Sequence, residues 1–130
     1  MGERYLLDTN TVIYLLDKNL SASALDFLKT LLLLEGNISI ISKIELLSWL
    51  PPNPIDFIKV EQFVNDADIY SLNDEIVKKT IFFRKSYKIK LPDAIIAATA
   101  FVNDFTLISR NAADFKKIPS LKFINPFTDL

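Results

Sequence analysis

The sequence predicts an α/β domain with a central, mostly parallel sheet of four to five strands that is covered by helices on both faces. Short apolar runs without polar alternation are typical of strands buried on both faces, and several occur here. These runs alternate along the chain with longer segments of helical periodicity, which is the pattern of a parallel sheet. No linker, repeat or low-complexity stretch divides the 130 residues, so we expect a single domain over 1–130.

The predicted strands are short, and the first one ends on an acid. Tyr5-Leu6-Leu7 is an apolar run that stops directly at Asp8. Ligands of open α/β sheets bind just beyond the carboxyl ends of the strands, so Asp8 lies where a site is expected. The later strands are predicted at 38–41, 69–70, 106–109 and 122–124.

Capping residues and prolines predict where the helices begin and end. Thr9 or Asn10 is expected to cap a short first helix, and Ser21 a longer one that ends near Glu35-Gly36. Ser42 is expected to begin a helix that Pro51-Pro52 stop. The remaining helices are predicted from Pro54 to about Asn65, from Asn73 or Asp74 to about Tyr87, from Pro92 to about Asn103, and over 112–116.

The composition excludes several classes of chemistry. The chain has no cysteine and therefore no disulfide, thiolate nucleophile or cysteine-bound metal. It has no histidine, which excludes Ser-His-Asp and Cys-His catalysis and histidine zinc sites. Gly2 and Gly36 are the only glycines, so a glycine-rich loop that binds nucleotide phosphates is excluded as well. Any catalysis must depend on carboxylates, lysine or tyrosine.

Four acids occupy equivalent places in the predicted layout. Asp8 ends the first strand, Glu45 follows the second, Asp93 opens the Pro92 helix, and Asp114 follows the fourth strand. In a parallel sheet these places open onto one edge, where four carboxylates without a cation would repel one another. Mg²⁺ and Mn²⁺ prefer oxygen ligands, and such ions can polarise a phosphate and activate a water.

Most of these acids also have a purely structural explanation. Ser42 and Glu45 have the spacing of a capping box, and an acid in a first helical turn, like Asp93, is favoured by the helix dipole. Asp114 could serve as a cap, a role for which Asn111 competes. Asp8 has the weakest structural explanation, because an acid ending a buried strand is costly to desolvate without partners.

Four motifs of the chain resemble those of PIN domains, particularly the VapC-type toxins of bacterial and archaeal toxin–antitoxin pairs. Leu6–Asn10 resembles the opening motif, Ile41–Leu46 is similar to the second, and Leu91–Ala100 is the best match. Leu107–Phe115 resembles the last motif, a strand followed by Thr or Ser, Asn and an acid. The resemblance covers essentially the whole chain, with the motifs in order and at spacings similar to the family's.

The resemblance implies a three-layer α/β/α domain with an acidic, Mg²⁺- or Mn²⁺-dependent ribonuclease site. The catalytic and metal-binding acids carried over are Asp8, Glu45, Asp93 and Asp114, of which the fourth varies most within the family. The neighbours expected to orient them are Asn10, Ser109 and Asn111, with Ser109 standing where Thr is commoner. A homodimer and an antitoxin whose tail covers the site are also implied. The wide apolar arc of the Ser21–Leu34 helix, with apolar positions in the Pro54 and Asn73 helices, favours the dimer independently.

Basic residues are concentrated in one stretch. The net charge of −1 argues against a general polyanion binder, but residues 78–90 contain six lysines and arginines and no acid. We interpret part of this stretch as a flank that contacts RNA phosphates, the alternative being a solvated helix face. The predicted phosphate contacts are Arg84, Lys85, Lys88, Lys90 and Arg110.

Two other functions remain open at this stage. Asp8-Thr9-Asn10 also looks like the nucleophile loop of a haloacid dehalogenase-type phosphotransferase, although Asn10 stands where that family has its general acid. An inactive RNA- or protein-binding module with the same fold is the other alternative. The chain shows neither a secretory signal nor an apolar run long enough to span a membrane, so we expect a cytoplasmic protein without membrane contact.

Overall fold

Short strands and longer helices alternate along the chain. The computed structural model describes residues 3–17 and 19–129. Within them the elements are β1 (Tyr5–Leu7), α1 (Thr9–Leu16), α2 (Ala22–Leu32), β2 (Asn37–Ser39), α3 (Ile40–Leu47), α4 (Pro54–Asp66), β3 (Asp68–Tyr70), α5 (Asp74–Tyr87), α6 (Leu91–Val102), β4 (Thr106–Ile108), α7 (Ala112–Phe115) and β5 (Phe123–Ile124). The predicted α/β class is confirmed.

The strands are parallel and form two hydrogen-bonded groups. One has the order β1-β4-β5, and the other pairs β2 with β3. The groups adjoin along β1 and β2, where Asn37 Nδ2 donates to the Tyr5 carbonyl at 3.0 Å. Asn37 is fully buried. We call this boundary between β1 and β2 the seam.

Each face of the strands carries its own apolar core. Successive residues of a strand point to opposite faces, so Leu6 and Leu107 pack with α5 and α6, and Leu7 and Ile108 pack on the other side. The first core also contains Ile76, Phe83, Ala97, Phe105 and Phe115. The second also contains Val12, Leu28, Ile38, Leu46, Val60 and Val64, which come from α1 to α4 and β2. The three-layer arrangement expected from the resemblance is therefore confirmed.

The predicted caps of α2 and α5 are confirmed, and those of α1 and α3 are wrong. Ser21 and Asn73 cap their helices as expected. The first helix is capped by Asp8 itself, whose carboxylate accepts from the Thr11 amide at 2.8 Å. The third begins two residues earlier than predicted, because Ser39 ends β2 and its hydroxyl accepts from the Ile41 amide. Ser42 is thus inside α3, and the capping-box explanation of Glu45 is wrong.

Several apolar side chains lie on the surface instead of in the cores. In α4, Ile55 and Ile58 are 59% and 51% exposed, whereas Val60 and Val64 face the core. The second helix ends at Leu32, short of Gly36, and the residues that follow it are exposed. In the part of the chain described, no helix is long and apolar enough to cross a membrane.

Candidate acidic active site

Asp8 is a buried acid fixed by the start of α1. Only 7% of the residue is exposed, and its carboxylate accepts from the Thr11 amide. The Thr11 hydroxyl donates to the Ile108 carbonyl at 2.9 Å, which ties this turn to β4. Burial raises the pKa of Asp8, and the charge of Glu45 raises it further, whereas hydrogen bonds from Ser109 and Thr11 lower it. The site thus holds a carboxylate that would be costly to ionise without those donors.

Asn111 connects the acids of α6 and α7. Its amide Nδ2 donates to Asp114 Oδ2 at 3.0 Å and lies 3.4 Å from Asp93 Oδ2. Its backbone amide donates to Ser109 Oγ at 2.9 Å, and Ser109 is fully buried. Ser109 and Asn111 therefore link Asp93 and Asp114 to the residue that lowers the pKa of Asp8, and their role in orienting the acids stays a prediction.

The pKa values of Asp93 and Asp114 shift in opposite directions. Burial, followed by the neighbouring Asp114 carboxylate and then by Asp8 and Glu45, raises the pKa of Asp93 to about 6. The Asn111 amide, helped by Lys117, lowers the pKa of Asp114. The pair accordingly favours a proton on Asp93 and a charge on Asp114. The charges of Asp114, Asp8 and Glu45 all raise the pKa of Asp93, which indicates that the four carboxylates lie near one another at this edge.

Glu45 approaches this edge from α3, on the other side of the seam. The Thr9 hydroxyl hydrogen-bonds to Glu45 Oε1 and lies 3.0 Å from Ser42 Oγ. A hydroxyl has one proton and a carboxylate can only accept, so Thr9 donates to Glu45 and Ser42 donates to Thr9. The sequence analysis missed Thr9 as a site residue. Its only signal was its position next to Asp8.

The four acids offer the oxygen ligands that a hard divalent cation prefers, but their carboxylates are not spaced as in a preformed metal site. Within residues 3–17 and 19–129, no three carboxylates converge into a preformed metal site. The donor set consists of oxygens alone, and the raised pKa of Asp93 reflects repulsion that a cation would relieve. The acids that would hold such an ion are Asp8, Asp93, Glu45 and Asp114. Asn10 is exposed, and no side-chain hydrogen bond in the described ranges involves it, so its orienting role stays a prediction.

The predicted phosphate-contacting residues lie in two separate places. Four of them line one open groove where α5 turns into α6: Arg84, Lys85, Lys88 and Lys90. Lys88 ends α5 in the left-handed conformation, with a φ of 55°, and redirects the chain toward the Asp93 helix. Arg110 is instead next to α1 and the C-terminal turn, where its guanidinium lies over the Phe127 ring.

The family to which the chain belongs follows from its match to known proteins. A family model described as "PIN domain" matches residues 5–121, which is most of the chain and includes all four acids. The chain belongs to the PIN domain family. PIN domains of the VapC type are in general nucleases.

Solved structures similar to this PIN domain come from toxin–antitoxin systems. A toxin–antitoxin complex from Klebsiella pneumoniae contains a chain 28% identical, with a TM-score of 0.73, and the match covers 95% of this chain and 98% of that one. VapBC2 from Rickettsia felis, bound to a promoter DNA fragment, matches at 25% identity and a TM-score of 0.77, over 93% and 97% of the two chains. DNA-bound VapBC from Salmonella typhimurium, at 20% identity and a TM-score of 0.78 over 95% and 98%, supports the fold alone. The neighbours support a VapC-type PIN domain. No curated protein sequence matches the chain closely enough to add to this assignment.

Proposed function

We propose that this PIN domain is a Mg²⁺- or Mn²⁺-dependent endoribonuclease and the toxin of a toxin–antitoxin pair. The observation that carries the proposal is the meeting of Asp8, Glu45, Asp93 and Asp114 at one edge, where burial and then the charges of the other three acids raise the pKa of Asp93. A purely structural role for these acids would not require that mutual repulsion. The proposed domain extends over residues 1–130.

The residues around the acids prepare them for a cation. When bound, the ion would supply a polarised phosphate and a water that ionises near neutral pH. Ser109 and the Thr11 amide donate to Asp8 and favour its charged form. Thr9 holds Glu45, and Asn111 holds Asp114. A cation bound beside Asp93 would lower its pKa from about 6 and favour its charged form.

Cations in two separate places support an RNA substrate. The groove formed by Arg84, Lys85, Lys88 and Lys90 leads into α6, whose first turn carries Asp93. Phosphates bound there would enter the acidic edge despite its negative charge, since lysine and arginine supply most of the sequence-independent affinity for nucleic acids. Unpaired RNA is the favoured form, because its backbone can be drawn into a narrow edge.

The proposed partners are an antitoxin and a second copy of the chain. The Klebsiella pneumoniae and Rickettsia felis neighbours were solved in toxin–antitoxin assemblies, which supports an antitoxin partner. Exposed apolar side chains on α4 and α5 support a homodimer: Ile55, Ile58, Val77, Ile81 and Phe82. We place this activity in the cytoplasm, where RNA is available.

Neither alternative function gains support. A phosphotransferase needs Asp8 free to attack phosphorus, but its carboxylate is buried and caps α1. The general acid of that mechanism would have to be Asn10, which cannot donate and accept a proton in that way. An inactive binding module would not require three further acids whose charges raise the pKa of Asp93.

The test of the proposal is Asp8→Asn. Asparagine keeps an oxygen that can cap α1, so the fold should persist while the ligand charge is lost. We expect RNA cleavage to fall at least about 100-fold, the scale of several kcal/mol of lost charge stabilisation. Asp26→Asn, at an exposed acid in α2, is the matched control and should cleave normally.

Two results would contradict the assignment. Unchanged cleavage by Asp8→Asn at saturating Mn²⁺ would exclude Asp8 as a metal ligand. An acyl-phosphate on Asp8, formed from a phosphate ester, would instead support the phosphotransferase.

A further inference from the structure

Arg110 is fixed by two aromatic rings. Its guanidinium carbon lies 4.3 Å from the ring centroid of Phe127 and 5.9 Å from that of Tyr14. The two rings meet edge to face, with centroids 5.0 Å apart and planes at 89°. Arg110 directly follows Ser109, which lowers the pKa of Asp8. The arginine is thus next in the chain to a residue of the acidic site.

A hydrogen-bonded C-terminal turn presents Phe127 to Arg110. The Asn125 side chain accepts from the Phe127 amide at 2.9 Å, and the Asn125 amide donates to Asp129 Oδ2 at 2.8 Å. Tyr14 comes from α1, the helix that Asp8 caps. Two separate parts of the chain therefore converge on one arginine. We call Tyr14, Arg110 and Phe127 the arginine clamp.

Arg110 is held, but its charge is not neutralised. The residue is exposed, and in the described ranges none of the ion pairs involves it. Stacking on an aromatic face uses the plane of the guanidinium and leaves the N–H groups at its edges able to donate. Such a fork matches the two free oxygens of a phosphodiester. A nucleobase would compete with Phe127 for the same plane, so a phosphate is the ligand that fits.

We propose that the arginine clamp is a phosphate-binding subsite for the nucleic-acid backbone, and that the C-terminal turn 125–129 is therefore part of the substrate site. This inference rests on the proposed nuclease function. The clamp is formed by α1, the residue after Ser109 and the C-terminal turn, whereas the lysine-rich groove lies where α5 turns into α6. A strand bound by both would make phosphate contacts at two separate places on the molecule.

The experiment measures RNA binding without cleavage. Every variant is made in the Asp8→Asn background, and the Kd for a fluorescent unpaired RNA is measured by anisotropy over a series of salt concentrations. Arg110→Gln should weaken binding about tenfold and reduce the salt slope by about one, as expected for one lost phosphate contact. Arg110→Lys keeps the charge and should keep the slope while weakening binding about threefold, because the fork is lost.

Phe127→Leu tests whether the clamp positions the arginine. It leaves every charge in place, so the salt slope should stay while binding weakens about threefold. Lys29→Gln, an exposed cation in the last turn of α2, is the matched charge control and should leave the Kd unchanged. Thermal unfolding of each variant reports whether the fold persists.

The outcomes separate this inference from the proposed function. If Arg110→Gln lowers the melting temperature but binds RNA with an unchanged Kd and slope, the clamp only anchors the C-terminal turn and the inference is wrong. If wild-type protein cleaves RNA in an Asp8-dependent way while the Arg110 variants bind normally, only the inference fails. If wild-type protein neither binds nor cleaves RNA with Mn²⁺ present, the proposed nuclease function is wrong, and so is the inference that rests on it.

Discussion

Thr9→Val tests whether the hydrogen bond across the seam positions Glu45. Valine has nearly the shape of threonine but cannot donate to the Glu45 carboxylate or accept from Ser42. A hydrogen bond to a charged group contributes about 1.5–3 kcal/mol, and because Glu45 is exposed we take about 1 kcal/mol. That corresponds to roughly a fivefold loss in the fraction of protein molecules in which the Glu45 carboxylate is positioned to bind a cation.

The assay is the Mn²⁺ concentration that gives half-maximal RNA cleavage, which should rise about fivefold in Thr9→Val. Ser42 is fully buried and would lose its partner, so the free energy of unfolding should also fall by about 1 kcal/mol. Thr9→Ser keeps the hydroxyl and should restore the Mn²⁺ dependence.

A double-mutant cycle distinguishes positioning from general destabilisation. If Thr9 acts through Glu45, adding Thr9→Val to Glu45→Gln should cost little further activity. Additive losses from the two substitutions would refute the reasoning. So would an unchanged Mn²⁺ requirement in Thr9→Val.

Two further substitutions test the charges and the seam. Because the pKa of Asp93 is raised to about 6, its ionisation disfavours the folded state as the pH rises from the unfolded value near 4 through 6. Asp93→Asn should therefore stabilise the metal-free protein by about 1 kcal/mol at pH 7, after allowing for its half-exposed position, and should have no effect near pH 4. Urea unfolding at both pH values measures this difference. Equal stabilisation at the two pH values would contradict the prediction. Asn37→Ala leaves the Tyr5 carbonyl without its donor and should lower the free energy of unfolding by about 1–3 kcal/mol. Asn19→Ala, at an exposed position, is the control. An equally small change in the free energy of unfolding in Asn37→Ala and Asn19→Ala would show that the hydrogen bond across the seam does not stabilise the fold.

The parts of the fold that depend on local patterns could be predicted from the sequence. Apolar runs indicated the strands, and Ser21 and Asn73 indicated helix starts, because capping depends on residues only a few positions apart. Ser42 and Glu45 have the local spacing of a capping box, but Ser39 lies closer to the end of β2 and begins the helix instead. Local spacing cannot decide between two serines three residues apart when strand pairing sets where the helix begins.

The side chains that connect distant segments could not be predicted. The bond from Thr9 to Glu45 spans 36 residues, and that from Asn37 to Tyr5 spans 32. Each of these hydrogen bonds depends on how β1 and β2 lie side by side, and local sequence patterns do not predict that arrangement. Asp8, Glu45 and Asp114 could be proposed as site residues because each follows a strand, and Asp93 because it begins a helix, whereas the hydrogen bonds between their neighbours follow from tertiary packing.

The seam also means that the acidic edge is formed by two separately hydrogen-bonded pieces of the molecule, which meet there at a joint. Asp8 and Ser109 belong to the piece built on β1, β4 and β5, while Glu45 follows β2 in the other piece. Asn37 bridges the joint at one end of β2, and Thr9 bridges it beyond the other end. A three-residue strand spans about 10 Å, so the position of Glu45 is controlled by a contact that distance away. Activity can therefore be lost through misalignment of the two pieces, with every acid intact and both cores still packed.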